Sequence, residues 1–337
     1  MRLLILFLML SVVSCKKELA ITEFNPDLTI SFGSCNNQRI QNKLFDDIVK
    51  NNPEIFIWGG DIIYSDTDKP SVLATNFQKF KQDSTYQQFL KKVKVIGTWD
   101  DHDYGLNDGG FENPIKEEAK QTFLDFFDVQ KQDKRREQEG VYSSTMIKKD
   151  SNSIKIILLD TRYFRTKLTI DPTGEKRYIP NKYGEGAMLG ETQWNWLSNE
   201  LTNSTANYNI IISSIQFLSK EHGFEAWGNM PHEVSRLQKL ILKSKAKNTI
   251  ILSGDRHIAE ISKTNIGEFY YPLIDFTSSG LTHAYTSFSG EENSFRVSNV
   301  IYEINFGILK FDFKANQVLF EIRGKDNVLL EQFKQQY

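Results

Sequence analysis

The sequence predicts an α/β fold in four layers, α/β/β/α, in which two mixed sheets face each other and carry helices on their outer sides. Three observations predict it. Apolar runs closed by polar turns alternate with amphipathic stretches in the first part of the chain, the pattern of β-α units. An antiparallel strand pair and a second set of alternating elements follow, giving two halves, each a sheet covered by helices. The chain has 337 residues, 39% of them hydrophobic and 24 of them Phe, enough to fill the space between two sheets.

The elements read in order. Thr29 to Ser34 is a strand, Lys43 to Asn51 a helix, Glu54 to Trp58 a buried strand and Lys94 to Thr98 another. Lys116 to Asp128 places Ala119, Phe123, Leu124, Phe126 and Phe127 on one helical face. Val141 to Met146 and Ile154 to Leu159 are strands around the turn Asp150 to Ser153. Gly190 to Leu201 and His232 to Leu242 are helices, and Asn209 to Ser213 and Thr249 to Ser253 are strands. From Tyr270 onward short strands dominate, among them Ile301 to Ile304, Ile308 to Phe313 and Val318 to Ile322. Lys131 to Glu139 is a charged, solvated loop.

Composition narrows function. The 41 Lys and Arg nearly balance the 43 Asp and Glu, so no nucleic-acid-binding surface is expected, and nothing implies a protein partner. Cys15 and Cys35 are the only cysteines, which excludes a disulfide framework. After Arg2, the apolar run Leu3 to Leu10 is far short of the roughly 20 residues of a membrane span and reads as a signal peptide. Val12-Val13-Ser14-Cys15 resembles the bacterial lipobox, in which the cysteine is lipidated. The expected organisation is a signal peptide over 1–14, a lipidated N-terminus and tether over 15–27 and one domain over 28–337. The chain would be exported and held by its lipid on a membrane, at the periplasmic or cell-surface face.

Polar residues gather after four strands. Ser34-Cys35-Asn36-Asn37, Gly59-Gly60-Asp61-Ile62-Ile63-Tyr64, Asp100-Asp101-His102-Asp103 and Gly254-Asp255-Arg256-His257 each follow one. Ligands of α/β sheets collect at strand carboxyl ends, and clustered carboxylates need cations to stay ionised together.

The segments FGSCNNQ (32–38), GGDIIYSD (59–66), TWDDHDYGLND (98–108), LLDTRYFR (158–165), LGETQWNWL (189–197) and LSGDRH (252–257) resemble the calcineurin-like metallophosphoesterases. The resemblance is closer to the alkaline phosphatase D (PhoD-like) family and spans most of the chain. It implies a metallophosphoesterase sandwich and a metal-dependent hydrolase of phosphoric mono- or diesters. Asp61 has two oxygens with which to bridge two ions, and Tyr64 can turn back to one of them. Thiolate and phenolate favour Fe(III), so Cys35, Asp61, Tyr64 and His257 form the expected iron site, as the resemblance also implies. Asp61, Asp101 and Asp255 offer oxygen only and suit Ca²⁺, which the resemblance implies as well. Asn36, Asn107 and Gln216 are further candidates for the shell.

By resemblance, His102 contacts the phosphate and assists the leaving alkoxide. Arg162 reads two ways, as a bidentate phosphate contact or as an ion pair with Asp160 or another carboxylate. His222, His232 and His283 carry no catalytic assignment, although His222 stands in the family-like EHGFEAWGN stretch. No Walker lysine loop and no Gly-X-Ser-X-Gly elbow is present, so the expected attack is by metal-activated water. The rival readings are a hydrolase of other esters and a surface lipoprotein that only binds a ligand.

Overall fold

The computed structural model describes residues 24–267 and 271–337; the expected signal peptide and Cys15 lie outside them. The chain begins with β1 (Leu28–Gly33), α1 (Phe45–Val49), β2 (Ile55–Gly59), α2 (Pro70–Lys81), α3 (Ser84–Leu90), β3 (Lys94–Thr98), α4 (Asp101–Tyr104) and α5 (Lys116–Phe126). It continues with β4 (Ser143–Lys149), β5 (Asn152–Leu158), the small hairpin β6 (Thr169–Ile170) and β7 (Tyr178–Ile179), α6 (Gly190–Thr202), β8 (Tyr208–Ile212) and α7 (Pro231–Ser244). It closes with β9 (Thr249–Ser253), β10 (Ala259–Thr264), β11 (Leu273–Ser278), β12 (Phe306–Asp312), β13 (Gln317–Arg323) and β14 (Leu329–Gln336).

Two mixed sheets of six strands result, in the orders β14-β13-β12-β1-β2-β3 and β10-β11-β9-β8-β5-β4. Strand alternation sorts side chains into layers. On β2, Ile55 and Ile57 point between the sheets, where they meet Ile30, Ile156, Ile210, Ile250 and Phe320. Phe56 and Trp58 point the other way, into a layer with Phe77, Phe89 and Phe123 of α2, α3 and α5. On the second sheet Ile211 and Ile251 face outward against Trp194 and Leu197 of α6 and Leu237 and Ile241 of α7. Strands covered on both faces need no polar positions, which is why β2, β8 and β9 read as unbroken apolar runs. Among the described residues no helix is long and apolar enough to cross a membrane.

The four-layer expectation agrees with this arrangement. Some boundaries differ. The first helix shortens to Phe45–Val49 because Asn42 caps the turn before it, accepting from the Leu44 N–H at 2.8 Å. Ile301 to Ile304 is not a strand: only an isolated bridge pairs Ile301 with Ala259. Its β-branched residues suited a strand, but the segment meets the edge strand β10 at Ile301 alone and then turns away, Asn305 bridging to Gly280. The charged stretch after α5 contains a single turn of 3₁₀ helix at Lys134–Arg136.

Candidate metal centre

Parallel pairing of β1, β2 and β3 brings their carboxyl ends to one rim, and β8 and β9 bring theirs to the same rim from the facing sheet. Contact there is close. A Cβ on Gly60 would lie 2.5 Å from the Asp100 Cβ, and one on Gly254 would lie 2.7 Å from the Gly59 carbonyl oxygen. Four residues at these ends take left-handed backbone: Cys35 (φ 62°), Asp61 (φ 52°), Asp255 (φ 69°) and His257 (φ 55°). The turn directs each side chain across the rim instead of onward along its strand.

Asp61 is the hub. Its Oδ2 accepts from the Cys35 thiol at 3.5 Å and from the Tyr64 hydroxyl at 3.2 Å, and the Tyr64 hydroxyl lies 2.9 Å from His257 Nε2. Its Oδ1 is buried and, among the described residues, has no hydrogen-bond partner. Donor atoms of Cys35, Asp61 and His257 lie within 4.8 Å of one another, as do those of Asp61, Asp101 and His102, and those of Asp100, Asp101 and Asp255. The expected ligands Cys35, Asp61, Tyr64, Asp101, Asp255 and His257 therefore share one cluster. Asp100, which the sequence reading did not place in the shell, stands beside them.

Electrostatics fits a cation here. Burial and the Asp101 charge push Asp61 well above the usual carboxylate range, and burial with Asp101 raises Asp255 to about 8. Burial, then Asp61 and Asp255, raise the Cys35 thiol, and burial and Asp61 raise the Tyr64 phenol. Burial and the neighbouring His283 and His102 lower His257 to about 3, which keeps a neutral ring nitrogen available as a ligand. The side chains thus repel one another's charge, and a coordinated cation is the partner that allows carboxylates, thiolate and phenolate to coexist. The orphaned Asp61 Oδ1 and the sulfur, phenol, imidazole and oxygen donor set both suit bound metal.

His102 lies against this cluster, its ring stacked on Tyr64 with centroids 4.0 Å apart. Its Nδ1 pairs with Asp66 Oδ1 at 2.7 Å, which leaves Nε2 for a ligand. Burial opposes its protonation, but the Asp66 hydrogen bond and the Asp61 and Asp101 charges outweigh that and raise it to about 10. Asp103 serves the backbone instead. It accepts from the N–H groups of Ile62 and Asp100 at 2.8 and 2.5 Å and so locks two strand ends together.

Three expectations change. Arg162 is fully buried, with Nε 2.6 Å from Asp100 Oδ1 and one terminal nitrogen 2.5 Å from Glu225 Oε2, the ion-pair geometry, and it is not among the residues that line the cleft. Asn36 spends its amide on the Ile62 carbonyl and on Asn42, both at 2.9 Å. Gln216 turns away to Glu260 and Thr277, at 2.8 and 2.9 Å. A short polar side chain at a strand end serves backbone and neighbours as readily as a metal. Asn107 does line the cleft with Asp101 and His102.

His283, which carries no assignment in the sequence, places its ring centroid 4.4 Å from that of His257 and 5.1 Å from that of Tyr64. Asp66, which closes the GGDIIYSD segment and holds His102, is a further member that the expected site leaves out. His222 stays outside the cluster: its Nδ1 accepts from the Phe224 N–H at 3.0 Å.

The network that takes Gln216 includes Asp275, which accepts from the N–H groups of Phe217 and Leu218 and from Ser253. Burial outweighs these bonds and raises Asp275 from 3.8 to about 6. The folded chain therefore binds the extra proton, and stability falls as pH rises from about 4 to about 6, by about 3 kcal/mol for this group. Asp275→Asn should flatten that part of the curve in urea titrations run across the interval; an unaltered slope would refute the assignment.

The family model of PhoD-like phosphatases matches residues 30–295. Alkaline phosphatase D of Bacillus subtilis (strain 168) is 26% identical over 121 residues, covering 32% of this chain. The match spans only 20% of that relative's length. A solved structure of PhoD superposes with a TM-score of 0.73 at 16% identity, over 92% of this chain and 72% of that one. GAP50, the anchor in the inner membrane complex of Plasmodium, superposes with a TM-score of 0.59 at 12% identity, over 92% and 88%. These two likenesses are of fold, and the family match runs through the strand ends that build the cluster. The chain belongs to the PhoD-like phosphatase family.

Proposed function

We propose that the chain is a metal-dependent hydrolase of phosphoric esters, exported and held at a membrane by lipid on Cys15. The observation that carries the catalytic reading is the convergence of Cys35, Tyr64 and His257 on Asp61, whose second oxygen is buried without a partner. The signal-like run and the Val12-Val13-Ser14-Cys15 tetrad support the location.

Cys35, Asp61, Tyr64 and His257 would hold Fe(III), and Asp61, Asp101 and Asp255 would hold Ca²⁺. Such ions, when bound, supply Lewis acidity toward the phosphoryl oxygens and an acidified water. The protein's own groups do the rest. His102, with Nδ1 held by Asp66 and its ring held by Tyr64, presents Nε2 to the leaving oxygen and can give it a proton. The buried Asp103 contacts keep the loops bearing Asp61 and Asp101 in register as charge moves.

Elemental mass spectrometry on protein purified without chelator, combined with assays on p-nitrophenyl phosphate and bis-p-nitrophenyl phosphate, tests this reading. Iron, calcium and turnover of either ester are expected. Metal-replete protein that hydrolyses neither would favour a binding role. Cys35→Ala should lose a thiolate-to-iron absorption band, and an unchanged spectrum would remove Cys35 from the ligands.

A further inference from the structure

The cleft over the cluster encloses about 390 Å³ and is lined by Asp101, His102 and Asp255 and by two cations, Arg177 and Arg256. Arg256 is committed: its guanidinium is buried, bonds both oxygens of Glu291 at 2.9 and 2.7 Å and covers the Phe224 ring at 4.2 Å. Arg177 differs in exposure. Its side chain is 49% exposed, and the carboxylate it pairs with is Asp108. The same Asp108 oxygen also accepts from the Tyr178 hydroxyl at 2.7 Å, while the Asp108 backbone N–H donates to Asp101 Oδ2 at 2.7 Å. Departure of Arg177 would leave Asp108 hydrogen-bonded and its backbone still on Asp101.

The backbone under Arg177 is firmly held. Asp171 accepts from the N–H groups of Thr173 and Lys176, each at 2.9 Å, which closes the turn between β6 and β7. Tyr178 N–H donates to the Gly223 carbonyl at 2.9 Å and Lys176 Nζ to the Glu221 carbonyl at 2.7 Å, tying the hairpin to the wall of the cleft. A fixed backbone carrying a guanidinium that pairs with Asp108, lies 5.5 Å from the centroid of the Tyr178 ring and stays half-exposed is suited to accept a two-oxygen anion from solution on its open side.

We propose that Arg177 is a specificity residue that binds a second negative group of the substrate, a carboxylate or phosphate outside the scissile ester, and so selects substrates with two anionic centres. The inference rests on the phosphoesterase reading of the site. It is tested with matched 4-nitrophenyl and 3-carboxy-4-nitrophenyl esters of phosphate, as mono- or diesters according to which form the wild type turns over. The wild type should prefer the carboxylated ester. Arg177→Met should lower kcat/KM for that ester about tenfold, chiefly through KM, and lower it for the plain ester by less than about threefold. Arg177→Lys should fall between them, and it carries the comparison if Arg177→Met melts early. Asp108→Asn, which releases Arg177, should sharpen the preference.

Equal losses on both esters would make Arg177 a positioning group acting through Asp108, and no loss on either would leave it without a role; each overturns the proposal. A wild type that turns over the plain ester without preferring the carboxylated one overturns this inference alone. Turnover of neither ester overturns the reading of the site itself.

Discussion

Asp61→Asn is expected to lower kcat by about a thousandfold, a loss of roughly 4 kcal/mol in transition-state stabilisation. One Asp61 oxygen faces the Cys35 thiol and the Tyr64 hydroxyl, and the other is buried and unpaired. Asparagine keeps one acceptor and replaces the other with an N–H₂ group, which cannot ligate, so one side of the cluster loses its shared donor. The variant should still fold. Asparagine tolerates the left-handed backbone that Asp61 adopts (φ 52°) and is nearly the same size as the buried carboxyl it replaces. Steady-state turnover with an excess of metal, beside a thermal melt, checks both halves; near-normal kcat would end the bridging assignment.

Arg162→Met is expected to destabilise the fold by about 3–5 kcal/mol. The guanidinium sits between the buried carboxylates of Asp100 and Glu225, and Arg165 Nε meets the other Glu225 oxygen at 2.9 Å. Methionine fills much of the volume but leaves Asp100 with Ser214 Oγ at 2.6 Å and no cation. An uncompensated buried carboxylate either stays charged at high cost or takes up a proton. Urea unfolding of Arg162→Met should show the loss, and adding Asp100→Asn should recover part of it. A loss below about 1 kcal/mol would mean that these pairs only offset their own burial.

Much of this molecule is written in local pattern. Strands β1, β2, β3 and β9 are each followed by a polar cluster, and those clusters hold the six expected ligands. What pattern could not carry was contact between distant segments. Asp160 is the carboxylate nearest Arg162 in sequence, but its partners are Asp100, which comes from the facing sheet, and Glu225, from the segment between the neighbouring strand β8 and α7. His283 had no neighbouring signal, and it reaches His257 because the loop after β11 folds back, its Tyr285 N–H donating to the His257 carbonyl at 2.8 Å. Helices α2 and α3 also escaped notice. Their buried faces rest on three residues (Leu73, Phe77, Phe80) and two (Tyr86, Phe89), too few for a clear helical stripe among polar neighbours.

The left-handed turns at Cys35, Asp61, Asp255 and His257 bear on how this chain would respond to engineering. Glycine is the most relaxed residue in that backbone, and each L side chain held there costs about 1–2 kcal/mol, less for Asp and His than for Cys. At Asp61 glycine would also remove a buried polar side chain. A library ranked only by heat tolerance would therefore be drawn toward glycine at the four positions on which the proposed chemistry depends. A stabilisation campaign has to hold them constant or score turnover alongside melting, because the most thermostable members of an unguarded library would be inert.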